Sequence, residues 1–81
     1  KKWYAVWMKI YWNKLEKGRE GQVEALNLKH DQVADLLSKK GIYPAFHMNK
    51  RYWISVALDN TLSDEEVLEL IERSWNLTIK K

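Results

Sequence analysis

Residues 42–75, IYPAFHMNKRYWISVALDNTLSDEEVLELIERSW, decide how this chain is read. Pro44 fixes its own φ and biases its neighbour away from helix, so an extended segment opens here. Residues 45–48 and 52–58 can then pair as a hairpin around Asn49-Lys50-Arg51. In the second of these strands Tyr52, Ile54, Val56 and Leu58 alternate with Trp53, Ser55 and Ala57, a period of two. Asp59-Asn60 signals a turn. Ser63 with Glu66 reads as a capping box, and Asp64, Glu65 and Glu66 place negative charge on the positive end of the helix dipole. Val67, Leu70, Ile71 and Ser74 fall on one helical face, with Leu68 and Trp75 flanking it. Trp53 and Trp75 are expected in the core.

Upstream, residues 3–12 (WYAVWMKIYW) are aromatic and β-branched and read as a strand. Both of its faces are largely apolar, so either the strand is covered on both sides or an aromatic face carrying Trp3, Trp7 and Tyr11 is left for a partner. Residues 13–21 form a polar, Gly-containing connection, and residues 22–29 return as a second strand. Asp31 is placed to cap a helix running to about Lys40, with Val33, Leu36 and Leu37 on one side and Gly41 as its C′ residue. The order β-β-α-β-β-α, with no repeats or linkers, describes one α+β domain: an antiparallel sheet with helices packed on it.

The 81 residues contain no Cys, which excludes a disulfide scaffold and thiolate chemistry. No run of apolar residues is long enough to span a bilayer, and no signal-peptide pattern is present. The expected setting is cytoplasmic, with no membrane partner. A net charge of +3 is unevenly distributed. Residues 1–58 carry eleven Lys and Arg against five Asp and Glu, whereas residues 59–81 carry three against six. The strands and loops are therefore basic and the last helix is acidic.

Leu28-Lys29, His47-Met48-Asn49-Lys50, Trp53 and Ser74-Trp75, in this order, resemble the C-terminal signature of the MmcQ/YjbR family of small α+β proteins. The likeness covers about residues 22–79. Tyr52 stands where the family often has His, and Trp75 where Tyr is common. The resemblance implies DNA binding through a double-wing motif, in which two hairpin loops straddle the duplex. It also implies a helix and a strand ahead of Lys1, so the chain is expected to be the C-terminal part of something longer or a shortened variant.

Two loops hold the residues that fit this role. Lys14, Lys17 and Arg19 lie in the first connection, and Asn49, Lys50 and Arg51 in the second. Flexible, exposed cations at hairpin tips suit phosphate contact, which is independent of sequence and sensitive to salt. Double-stranded DNA is the expected partner. The alternative is a protein-interaction or self-association module using the aromatic sheet face. No catalytic residue, metal or cofactor is expected. His30 and His47 are the only His and lack a ligand set, and His47 with Asn49 is expected to hydrogen-bond locally within the hairpin. Asp64, Glu65, Glu66, Glu69 and Glu72 are accounted for by the helix dipole and solvation.

Overall fold

In the computed structural model, residues 3–79 are described. Strand β1 (Ala5–Tyr11) is followed by β2 (Gln22–Lys29), a one-turn helix α1 (Val33–Leu36), β3 (Ile42–Pro44), β4 (Trp53–Ala57) and the long helix α2 (Asp64–Ile79). All neighbouring strands are antiparallel, in the order β1-β2-β4-β3. The chain is therefore α+β in the expected element order.

The ladders fix which residues share a face, because directly paired residues project to the same side. On one side lie Ala5, Leu26, Leu28, Ile54, Val56 and Ile42. Val33, Leu36, Leu62, Val67, Leu70 and Ile71 pack against this side, so both helices cover it. Leu28, Ile54 and Val56 are fully buried here. Burying each such side chain contributes about 1.5–3 kcal/mol. The opposite side, carrying Val23, Ala25, Asn27, Ser55 and Ala57, is covered by no α-helix among the described residues. It is nonetheless buried, with Ala25 and Ser55 fully inaccessible. Loops cover it instead.

The start of α2 follows the sequence. The Ser63 backbone N–H donates to Glu66 Oε1 at 2.9 Å, and the Glu66 N–H donates to Ser63 Oγ at 3.1 Å, closing the capping box. At its other end Ser74 is fully buried and does more than allow close approach. Its hydroxyl accepts from the Lys29 N–H at 2.8 Å and donates to the Tyr4 carbonyl, so one side chain ties α2 to the end of β2 and the start of β1. Because Ser74 takes the sheet-facing position, Trp75 is turned away from it. Trp75 is half-exposed rather than in the core, packed edge-on against Tyr4 with ring centroids 5.0 Å apart. Trp53 is buried as expected.

Three element boundaries differ from expectation. The first strand stops at Tyr11, because Trp12 turns inward into a short 3-10 turn spanning Trp12–Lys14. The middle helix is four residues long rather than extending from Asp31 to Lys40. Asp31 cannot cap it, since Arg73 Nη2 donates to both Asp31 carboxylate oxygens at 2.7 and 2.9 Å, while the Gln32 N–H donates to His30 Nδ1. Because α1 ends at Leu36 with Leu37 as its C-cap, Gly41 is not its C′ residue; it has φ +93° in the turn that leads into β3. A Cβ there would lie 3.1 Å from Leu62 Cγ. The strand expected at residues 45–48 forms earlier, at Ile42–Pro44, for reasons that belong to the second loop.

Candidate nucleic-acid interface

The first loop is built around Trp12. Its N–H donates to the Gly21 carbonyl at 2.8 Å, which closes the connection, and its indole packs on Val23 and Ala57 of the helix-free face. Tyr43 meets it edge-on at 6.0 Å. The Arg19 guanidinium lies 3.5 Å above the Trp12 ring and pairs with Glu16 Oε1 at 3.3 Å. Tyr43 donates its hydroxyl to the same Glu16 oxygen at 3.1 Å, and burial together with this acceptor holds the phenol above its ordinary pKa. Arg19 is thus the lid of the loop. Lys14 and Lys17 are exposed and make no ion pair among the described residues.

The second loop, residues 45–52, is held by the sheet beneath it. Phe46 donates its backbone N–H to Ser55 Oγ at 2.9 Å, and its carbonyl accepts from Asn27 Nδ2 at 2.8 Å. With both polar groups taken by side chains of the helix-free face, Phe46 cannot continue the ladder, and this is why β3 ends at Pro44. His47 then adopts φ +61°, a left-handed conformation that ends any extended run. Asn49 behaves as local hydrogen bonding requires. Its Oδ1 accepts from the Arg51 N–H at 2.9 Å, and its carbonyl accepts from the Tyr52 and Trp53 N–H groups. His47 does not: its imidazole lies against the Phe46 ring, tilted by 58° with centroids 4.0 Å apart, and makes no hydrogen bond among the described residues. Lys50 and Arg51 are exposed beside it, and neither forms an ion pair among the described residues.

The two loops stand at opposite ends of the sheet. The first closes the Tyr11–Gln22 end of the β1–β2 ladder, and the second adjoins the Lys29–Trp53 end of the β2–β4 ladder. The eight residues of β2 place these ends about 24 Å apart at ~3.4 Å per residue. Lys14, Lys17 and Arg19 therefore form one group, and Asn49, Lys50 and Arg51 a second. Yet both loops fold onto the same helix-free face, the first through Trp12 and the second through Phe46. The acidic residues of α2 belong to the other side of the sheet.

Two further cations join these groups and were not singled out in the sequence. Lys29 ends β2 beside the second loop, its ammonium 5.6 Å from the centroid of Trp53. Lys40 lines a cleft with Glu16, Arg19 and Tyr43 beside the first loop. Strand order brings both into place, and no local motif marks them. No three His, Asp or Glu side chains among the described residues are grouped to hold a metal ion.

Between the helices lies a separate charged cleft. Arg73–Asp31 closes one end, and Lys39–Glu66, at 2.9 Å, the other. His30 is buried at its base, and burial, reinforced by Arg73 and opposed by Asp31, holds the imidazole below its ordinary pKa. The hydrogen bond from Arg73 lowers the Asp31 carboxyl, and the Ser63 N–H and Lys39 lower that of Glu66.

The aromatic face of β1 is exposed in part. Trp7 and Tyr11 are each 58% accessible, on the helix-covered side of the sheet but beyond the reach of α2. No helix of the described residues is long and apolar enough to cross a membrane.

A family model described as YjbR matches residues 1–77. The uncharacterized protein YyaQ of Bacillus subtilis (strain 168) is 39% identical over 80 residues, a match that covers 96% of this chain and 68% of that protein. The uncharacterized protein YbdF of Escherichia coli O157:H7 is 40% identical over 60 residues, covering 70% of this chain and 49% of its own length. A crystal structure of a Pseudomonas syringae protein superposes with a TM-score of 0.90 at 43% identity, over 95% of this chain and 68% of that one. A Deinococcus radiodurans protein with a DUF419 domain shares the fold at TM-score 0.67 and 23% identity, over 100% of this chain and 69% of its own. With its sheet, its capped helix and nearly its whole length matched, the chain belongs to the YjbR family.

Proposed function

We propose that this chain binds double-stranded DNA through its helix-free face, without enzymatic chemistry and with little sequence preference. The observation that carries the reading is the sidedness of the sheet. Both basic loops fold onto the face opposite the helices, while Asp64, Glu65, Glu66, Glu69 and Glu72 ride on α2 at the other side. A polyanion is drawn to one side and repelled from the other. Loops about 24 Å apart are too widely spaced to share one groove, which is ~12 Å wide at most. They touch separate stretches of backbone within one helical turn of ~34 Å. Lys14, Lys17, Lys50 and Arg51 supply the phosphate contacts, with Lys29 and Lys40 behind them. Arg19 and Asn49 shape the loops that present these cations. Four to six phosphate contacts give an affinity that falls steeply with salt. Titration of a duplex at low and at physiological salt tests this: binding at low salt that weakens by at least tenfold is expected, and no binding at low salt would sink the reading.

A second reading is favoured by Trp7 and Tyr11. β1 is a seven-residue edge strand with no Pro, whereas the opposite edge, β3, is three residues long and ends in Pro44. An open aromatic edge is a surface for another chain or a second copy. Sedimentation at several concentrations separates the two: a strict monomer over the whole range counts against association.

A further inference from the structure

The second loop holds one side chain in a left-handed conformation with no hydrogen-bond partner among the described residues. His47 has φ +61°, in the left-handed region, which a non-Gly residue keeps only when its surroundings enforce it. Its surroundings do enforce it. Phe46, the preceding residue, is fixed at both backbone polar groups by Ser55 and Asn27, and Asn49, two residues on, locks the following turn through three hydrogen bonds. Between these anchors His47 is exposed, its ring tilted against that of Phe46 and its nitrogens unused among the described residues. The ring is exposed in the same loop as the exposed cations Lys50 and Arg51.

From this we infer that His47 is a direct contact residue for double-stranded nucleic acid in the second loop. Its imidazole meets the groove edge while Lys50 and Arg51 hold the adjacent phosphates. The inference rests on the DNA reading given above and adds a residue to it that charge alone does not identify. A hydrogen-bonding or stacking contact of this kind contributes to affinity without releasing a counterion, so its loss leaves the salt slope intact, whereas loss of a phosphate contact lowers that slope by about one.

The experiment compares wild type with His47→Gly, His47→Ala and Lys50→Ala, measuring duplex affinity at a series of salt concentrations and the denaturation midpoint of each protein. His47→Gly relieves the left-handed strain, so its midpoint is expected to be equal to or above that of wild type. Its affinity, and that of His47→Ala, is expected to fall about fivefold or more with the salt slope unchanged; Lys50→Ala is expected to lower the slope. Wild-type affinity in both His47 variants overturns the inference and leaves the DNA reading standing. So does an affinity loss that appears only in step with a lowered midpoint, since that is a structural role. If wild type itself fails to bind a duplex at low salt, the DNA reading falls and the inference falls with it.

Discussion

Asn27 and Ser55 face one another across the β2–β4 ladder, and the Ser55 hydroxyl donates to Asn27 Oδ1 at 2.5 Å. Both are buried, and every polar atom they carry is used. Ser55 Oγ also accepts from the Phe46 N–H, and Asn27 Nδ2 donates to the Phe46 carbonyl. Two polar residues inside a small sheet are therefore the clasp that lays the second loop on the helix-free face. Ser55→Ala removes the acceptor for Phe46 N–H and the donor for Asn27 together. A cost of about 1–3 kcal/mol for each buried group left unsatisfied is expected. Denaturant midpoints measure the loss, and faster hydrogen exchange at the Phe46 amide is its local signature.

The ends of α2 give a graded pair. Ser63→Ala removes half of the capping box and should cost ~1 kcal/mol. Leu28→Ala opens a cavity where the helix meets the sheet and should cost about 2–5 kcal/mol, with Leu70→Ala milder because Leu70 is only partly buried. The order Leu28, Leu70, Ser63 in denaturant midpoint checks the packing of α2 on this side of the sheet.

Much of this was legible in the sequence because it is local. The capping box, the returning strand at residues 22–29 and the alternation through residues 53–57 are set by neighbours in the chain, and each appears where local chemistry puts it. What was not legible depends on distant partners. The short α1 reflects the claim of Arg73 on Asp31, 42 residues away. The early end of β3 reflects the hold of Asn27 and Ser55 on Phe46, and Trp75 points outward because Ser74 is claimed by Tyr4 and Lys29. The basic residues of the loops could be named from the sequence. Their division between two ends of one face could not, because strand order decides it.

Arg19 and Lys17 separate structure from binding within one loop. Arg19→Ala uncovers Trp12 and should lower stability by roughly 0.5–1 kcal/mol, the range of an exposed cation–π contact. Lys17→Ala should leave the denaturation midpoint unchanged and weaken duplex binding alone. Thermal or denaturant unfolding of both proteins makes the comparison.

His30 makes stability depend on pH. Its imidazole is held below the ordinary value of 6.5, mainly by burial. The unfolded chain therefore takes up a proton more readily than the folded one, so this contribution is fully present above about pH 6.5 and shrinks as pH falls through and below it. Protonation would also abolish the Nδ1 acceptor that receives the Gln32 N–H. Asp31 and Glu66, both lowered, lose their contributions only below the ordinary values of 3.8 and 4.5. Denaturant midpoints between pH 7.5 and 5 should fall for wild type and change less for His30→Gln.

The sidedness of the sheet is tested most directly by changing charge on one face at a time. Duplex affinity at low salt is measured for wild type, Lys14→Glu/Lys17→Glu, Lys50→Glu/Arg51→Glu, and the helix-side variant Glu69→Gln/Glu72→Gln. The account predicts that each loop reversal weakens binding by at least tenfold, while the helix-side variant binds as well as wild type or slightly better. Binding indifferent to reversal in either loop, or abolished by the change on α2, would contradict it.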